Sequence, residues 1–179
     1  MDLQPLIATG AGAVIALAGT LLADVGRDRR LRGRDIDLVQ RETNVDFALA
    51  LTAAHAGLRE VGDSSARDAE RRAAINRAVD EAGLYGARER LLMTATAPVV
   101  KAGETVFLRL IDIRDAIRDG AMTQSQEYHD AYHPFAEALW QFRMATRRDF
   151  HQPAFTPEKV DRVSWSERES CSFCGRPAT

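Results

Sequence analysis

Apolar positions along the chain form one long uncharged run, followed by several stripes with helical spacing. The run covers residues 5–25 and carries no charged side chain from Leu6 to Ala23. A helix of about 20 predominantly apolar residues crosses the roughly 30 Å hydrocarbon core of a bilayer. The pattern therefore predicts a transmembrane anchor over 5–25. A cleaved signal peptide and a buried core helix stay open as alternatives.

Charges beside this run indicate its orientation. Asp2 is the only side-chain charge before it, whereas a cluster of arginines follows directly: Arg27, Arg29, Arg30, Arg32 and Arg34. Basic residues next to a span are retained on the cytoplasmic side. We therefore expect a single-pass protein of the inner (cytoplasmic) membrane, with its N-terminus outside, its body in the cytoplasm and these arginines at the membrane interface.

Small residues recur at every fourth position within the run, at Ala8, Gly12, Ala16 and Thr20. This spacing places them on one helix face, where small side chains let two helices approach closely in lipid. The pattern predicts helix packing in the membrane and a homodimer or higher homo-oligomer. Sevenfold spacing of Leu31, Leu38 and Val45 suggests a thin coiled-coil seam further along.

Residues 27–150 read as a cytoplasmic antiparallel helical bundle. A helix from about Arg27 to Val61 ends at the polar stretch 62–65, and a second helical region reaches about Thr94, with glycine breaks at positions 83 and 86. Two stripes with intervals of mostly three and four then predict a packed helix pair. Their members are Val99, Val106, Leu110, Ile113 and Ile117, and then Tyr128, Tyr132, Phe135, Leu139 and Phe142.

The ends of this helix pair carry capping signals. Thr96 precedes Pro98 at the start of the first helix, Gly120 is suited to its C-terminal end, and Ser125 can cap the second helix. Pro134 lies inside the second stripe, which predicts a kink or a true helix start near His133. Residues 151–179 contain three prolines and no periodicity, so we expect a disordered, flexible tail.

Composition adds limits on fold and partner. Strand signals are scarce, so the fold class is all-α. The formal net charge of the 179 residues is -2, which gives no reason to expect a nucleic-acid partner. Two cysteines near the end of the chain do not suit a disulfide-stapled secreted domain. One domain plus an anchor fits this length.

Two stretches carry a resemblance at the level of architecture, RRAAINRAVDEAGLYGARERLLMTATAPVV and EYHDAYHPFAEALWQFRMATRRD. Together with the N-terminal run, they resemble a group of uncharacterised actinobacterial single-pass proteins with a helical body. The resemblance covers roughly residues 5–150 in style and implies only this architecture. Pro134 departs from it, because a helix former is expected at that position.

The sharpest chemical signal is the pair Cys171 and Cys174 within CSFCGRP. A C-x-x-C turn followed by glycine can bring two thiolates to one metal ion, and zinc prefers such ligands. The stretch resembles half of a treble-clef or zinc-ribbon knuckle, as in the zinc-binding domains of bacterial protease unfoldases, but the second cysteine pair of those modules is missing. A redox-labile dithiol is the other interpretation.

A tetrahedral zinc site needs two further ligands beyond the cysteines. They could be the same cysteine pair of a second subunit, or His129 and His133, which lie four residues apart on a predicted helix. Without a metal, these histidines would hydrogen-bond at the edge of the core or face water.

The sequence shows no phosphate-binding glycine loop, nucleophile elbow or supported catalytic triad. We therefore expect a non-enzymatic, membrane-tethered scaffold, anchor or regulatory protein, with the lipid bilayer and an unidentified protein as partners. The alternative is a metal- or redox-responsive module, with zinc shared across a dimer.

Overall fold

The computed structural model describes the backbone of residues 4–65 and 67–174, and the side chains of residues 34–65 and 67–174. All regular elements in these ranges are helical, which confirms the all-α class. They are α1 (Gln4–Asp63), α2 (Asp68–Glu81), α3 (Leu84–Thr94), α4 (Ala97–Arg118), α5 (Gln126–Asp149) and one 3-10 turn, η1 (Pro157–Val160).

The chain divides into two compact units, Met1–Arg41 and Glu42–Thr179. The first unit contains the beginning of α1, and its described side chains from Arg34 to Val39 are exposed. The second unit contains the rest of α1, the remaining helices and every buried side chain of the described residues.

Helix α1 contributes one apolar face to the core of the second unit. Phe47, Leu51, Ala54 and Leu58 follow one another at intervals of four and three, and each is fully buried. Phe47 meets Phe142 of α5 edge to face, with ring centroids 5.4 Å apart. Leu49 lies on the other face and is 62 % exposed.

Helices α4 and α5 form the predicted antiparallel pair. Their two apolar stripes are buried, apart from Tyr132, which is partly buried against the core. The Thr96 hydroxyl, just before α4, donates a hydrogen bond of 2.6 Å to Asp149 at the end of α5. Because the other ends are joined by residues 119–125, this contact shows that the helices run in opposite directions.

The predicted helix boundaries at Gly83, Gly120 and Ser125 are confirmed, whereas the predicted break at Gly86 is wrong, because α3 continues through that residue. Gly83 separates α2 from α3 and has a φ angle of +62°. Gly120 follows α4 and has a φ angle of +104°, and both values favour glycine. Ser125 Oγ accepts a hydrogen bond from the Tyr128 backbone N–H at 3.3 Å and caps α5. The prediction of a helix start near His133 was wrong, because α5 continues through Pro134.

In the described part of the chain, no helix is long and apolar enough to cross a membrane. This finding contradicts the predicted single-pass inner-membrane localisation with a cytoplasmic body, and we correct that prediction. From Arg34 onward, the longest stretch of α1 without Asp, Glu, Lys or Arg is the 12 residues from Phe47 to Leu58, which is too short to cross a bilayer. The side chains of residues 5–25, on which the prediction relied, lie outside the described residues.

The C-terminal segment, defined here as residues 151–174, is not a disordered tail. Its Trp165 is only 7 % exposed, and the Phe155 backbone N–H donates to Met144 Sδ of α5 at 3.1 Å. The Arg147 Nε–H donates to the Pro153 carbonyl at 2.9 Å. Residues 175–179, the end of the predicted tail, lie outside the described residues.

Candidate metal centre

Four side chains with metal-binding atoms converge between α5 and the C-terminal segment. They are His129, His133, Cys171 and Cys174, and their ligand atoms all lie within 4.8 Å of one another. The two histidines come from α5, and the two cysteines come from the last described turn of the C-terminal segment. These are the four residues that the sequence offered as metal ligands, and one chain supplies all of them.

Helix geometry places the histidines side by side. Residues four apart lie on the same face of a helix, and the two imidazole rings have centroids 5.7 Å apart. The Ser125 cap fixes the start of α5 one turn before His129. His133 is buried at 2 % exposure, whereas His129 is partly buried and closer to solvent.

The cysteines lie in a tight turn that resembles a metal knuckle. The Cys174 backbone N–H donates to Cys171 Sγ at 3.4 Å, so the turn folds back on the first sulfur. Cys171 Sγ lies 3.5 Å from His129 Nδ1. Both thiols are free and partly buried.

Contacts around the cluster hold the C-terminal segment against α5. Phe173, between the cysteines, stacks on the His129 ring with centroids 4.6 Å apart. Arg168 pairs with Asp130 of α5 at 3.2 Å. This ion pair is exposed and contributes at most about 1 kcal/mol. The aromatic contact and the pairing both bring the knuckle to the histidines.

The hydrogen bond of His133 determines which of its nitrogens can bind a metal. Nδ1 lies 2.7 Å from the Ser166 carbonyl oxygen, which can only accept, so Nδ1 carries the hydrogen and donates it. In the neutral ring, Nε2 then holds a lone pair. Nε2 is buried and has no hydrogen-bond partner. Metal-bound histidines show this arrangement, with the second nitrogen held by a carbonyl or carboxylate.

The separations within the cluster are close to those of a tetrahedral zinc site. Zn–S bonds of about 2.3 Å and Zn–N bonds of about 2.0 Å at tetrahedral angles place the ligand atoms roughly 3.3–3.8 Å apart. The Cys171 Sγ to His129 Nδ1 distance of 3.5 Å falls in this range. The upper limit of 4.8 Å for the whole set requires inward shifts of about 1 Å at most.

Electrostatics distinguish the two thiols. Burial opposes ionisation of Cys171, but hydrogen bonds from the backbone of Cys174 and Phe173 outweigh it and hold the pKa of Cys171 below its ordinary value. Burial raises the pKa of Cys174, and the neighbouring Cys171 raises it further. Burial lowers the pKa of His129, and the charge of His133 adds to this effect. The shifts of Cys171 and His129 favour a thiolate and a neutral imidazole, the forms that bind metal, whereas the raised pKa of Cys174 opposes its ionisation in the absence of a metal.

The remaining predicted site residues do not join this cluster. Arg34, predicted at a membrane interface, is exposed. The side chains of Arg27, Arg29, Arg30 and Arg32 lie outside the described residues, as do those of Ala8, Gly12, Ala16 and Thr20. Sequence reasoning also missed Ser166, which holds His133, because a single backbone carbonyl leaves no signal in the sequence.

No protein-family model, no curated protein and no solved structure matches this chain.

Proposed function

We propose that this protein is a non-enzymatic helical scaffold in which a structural zinc ion holds the C-terminal segment on the bundle. The observation that carries the proposal is His133 Nε2, a buried nitrogen without a hydrogen-bond partner, in a residue that lies together with His129, Cys171 and Cys174 in a set of ligand atoms within 4.8 Å of one another. An unpaired buried polar atom is costly, and a metal bond would remove that cost. The hydrogen bond from Nδ1 to Ser166 already orients the ring for this role.

The donor set favours zinc over other divalent ions. Two thiolates and two imidazoles form a tetrahedral set of borderline-soft ligands, whereas magnesium and calcium prefer oxygen. Four protein ligands close the coordination sphere. Because a catalytic zinc keeps one position open for water or substrate, a closed set supports a structural role.

The histidine pair supplies what the knuckle lacks. The zinc-binding modules that CSFCGRP resembles contain a second cysteine pair. In this chain, His129 and His133 of α5 would provide the two ligands that this missing pair provides in those modules. Because one chain contributes all four ligands, the proposed ion does not require a second subunit. Binding of the ion would stabilise the contact between the C-terminal segment and α5. Without the ion, a few aromatic and polar contacts alone hold the segment in place.

Zinc stoichiometry tests this proposal. We expect the full chain, purified in the presence of zinc and dialysed, to retain one zinc ion per chain by mass spectrometry of the metal. His133→Gln and Cys174→Ser should each weaken zinc binding by about 100-fold or more, since each removes a ligand. Far-UV circular dichroism should show that both variants keep their helical content.

His151→Asn is the matched control. His151 is exposed and has a φ angle of +54°, a conformation that asparagine tolerates. This variant should retain zinc like the unchanged chain. Loss of zinc from the unchanged chain on dialysis, or equal zinc retention by His133→Gln and His151→Asn, would refute the site.

Self-association is the second part of the proposal. Large apolar side chains on α1 remain exposed at Leu38, Val45 and Leu49, at 63 %, 55 % and 62 %. Leu38 and Val45 are seven residues apart, a spacing that suits pairing with a second copy of this helix. We expect sedimentation equilibrium to show a dimer that Val45→Glu dissociates. A monomeric unchanged chain would contradict this part alone.

A further inference from the structure

The two cysteines of the metal cluster are close enough to bond to each other. Cys171 and Cys174 are the only cysteines of the chain, and both thiols are free. Their Sγ atoms lie within 4.8 Å of each other, and residues 172–174 form a turn between them. A disulfide needs Cα atoms about 4.4–6.8 Å apart, a separation that a turn of four residues provides. The sulfur atoms can therefore reach the S–S bond length of about 2.05 Å without movement of α5.

An oxidant can reach these sulfur atoms. Both cysteines are only partly buried, and neither belongs to the hydrophobic core, whereas His133 is 2 % exposed. The thiolate is the form of cysteine that binds a metal, and it is also the form that peroxides oxidise. A zinc ion at this cluster would therefore hold both sulfur atoms in the form that reacts with peroxide.

Zinc binding and disulfide formation exclude each other at this cluster. In the zinc site each cysteine sulfur supplies a thiolate, and a disulfide contains none. Only His129 and His133 would remain as ligands. A structural zinc site needs four ligands, so the oxidised cluster cannot retain the ion.

We propose that Cys171 and Cys174 are an oxidation site for peroxides, and that their disulfide releases the zinc ion. The inference rests on the proposed zinc function, because it uses the same ligands. One thiolate attacks a peroxide oxygen, the O–O bond breaks, and a sulfenic acid and hydroxide form. The other thiolate attacks the sulfenic sulfur, the S–S bond forms, and a second hydroxide leaves. Peroxide accepts the two electrons that the sulfur atoms lose, and two protons convert the hydroxides to water.

Release of the ion loosens the last described part of the chain, residues 166–174. His133 Nε2 is then left buried without a partner, which is costly. Among the described residues, this stretch keeps three polar or aromatic contacts with α5: one hydrogen bond, one exposed ion pair and one aromatic stack. Exposed ion pairs are weak. Oxidation therefore changes the order of this stretch and leaves the helical bundle intact.

Treatment of the zinc-loaded full chain with hydrogen peroxide tests the proposal. A chromophoric chelator should record the release of one zinc ion per chain. Mass spectrometry should show a monomer lighter by about 2 Da, because two hydrogen atoms leave when the disulfide forms. Dithiothreitol and added zinc should restore the original mass and zinc content. Disulfides between chains, instead of within one chain, would overturn the proposal.

Hydrogen exchange measures the structural consequence. Backbone amides of residues 166–174 should exchange at least about tenfold faster in the oxidised chain, whereas those of α4 should be unchanged. Exchange at residues 166–174 that is the same before and after oxidation would contradict the loosening of this stretch.

Met122→Leu is the matched control for the oxidised residue. Met122 is 53 % exposed and lines the cavity beside His129, so peroxide can oxidise it close to the metal site. The variant should release zinc as fast as the unchanged chain. Release at least about tenfold slower in Met122→Leu would show that methionine oxidation expels the ion, and would refute the role of the cysteines.

The same experiment separates this inference from the function on which it rests. A chain that holds no zinc before oxidation refutes the zinc site, and the redox inference with it. A chain that binds one zinc ion, and keeps it after the disulfide has formed, refutes the redox inference alone.

Discussion

Trp165 of the C-terminal segment stacks on Trp140 of α5, with ring centroids 4.4 Å apart and an angle of 15° between the ring planes. Arg143 and Arg162 lie over the Trp140 ring as well, at 4.8 Å and 5.2 Å from its centroid. Stacked aromatic pairs contribute about 0.5–1.5 kcal/mol beyond the area that they bury. The stack therefore anchors the middle of a segment whose end carries Cys171 and Cys174.

Replacement of Trp165 should lower the affinity for zinc, although Trp165 is not itself a metal ligand. In Trp165→Ala the segment loses its buried anchor, so zinc binding must also provide the free energy that orders it. We expect zinc affinity to fall about tenfold or more, measured by competition with a chromophoric chelator. Val163→Ala, at a position 72 % exposed in the same segment, should leave the affinity unchanged. Equal affinities of the two variants would show that the stack does not support the site.

Gly103 is needed for the close packing of α4 against its neighbours. A Cβ at this position would overlap Leu91 Cδ2 and lie 3.4 Å from Phe47 Cε1. Gly103→Ala should therefore lower the free energy of unfolding by roughly 1–3 kcal/mol, because the core must expand. Chemical denaturation measures this change.

Gly86 is the matched control in α3. A Cβ there would meet only Arg90 Nη1, at 3.8 Å, and the position is exposed. Gly86→Ala should raise the free energy of unfolding by about 0.5–1 kcal/mol, because alanine favours the helix. Destabilisation by Gly86→Ala, or stability of Gly103→Ala equal to that of the unchanged chain, would contradict the packing described for these helices.

His55 of α1 makes stability depend on pH. Its Nε2 lies 2.9 Å from the Tyr128 hydroxyl, and its ring contacts the rings of Tyr132 and Phe135. Burial lowers its pKa from 6.5 to about 4, and the charge of Arg59 contributes. Between these two values the unfolded chain binds a proton that the folded chain does not. The stabilisation is therefore full above pH 6.5 and is lost as the pH falls through this window.

His55→Gln should reduce this dependence on pH. The amide can accept from Tyr128 but does not titrate. Between about pH 7 and pH 4.5, the unchanged chain should lose roughly 2.5 kcal/mol more unfolding free energy than the variant. Denaturation at both pH values, with a chelator present so that zinc does not contribute, measures the difference. Equal losses in the two chains would show that His55 titrates normally.

Local patterns in the sequence predicted the helices but not the contacts between distant segments. The stripes of α4 and α5, the Ser125 cap and the turn at Gly120 depend on neighbours in the chain, and the structure confirms them. Pro134 led to the wrong prediction of a helix start near His133. Its missing N–H and steric cost of about 3 kcal/mol are outweighed by burial of Phe135 and Leu139 on the same helix.

The order of the C-terminal segment could not be predicted for the same reason. Prolines and scattered charge suggested disorder, yet the contact of Trp165 with Trp140 and that of Cys171 with His129 join residues far apart in sequence. The two halves of the metal site were each visible as a pair of residues at a suitable spacing. Only the fold shows that one chain brings the two pairs together.

X-ray absorption at the zinc edge tests the central claim most directly. The account predicts a first shell of two sulfur atoms at about 2.3 Å and two nitrogen atoms at about 2.0 Å in the unchanged chain. It also predicts that this shell is the same for monomeric chain at high dilution, because one chain supplies all four ligands. A shell with four sulfur atoms, or one dominated by oxygen, would contradict the site formed by His129, His133, Cys171 and Cys174.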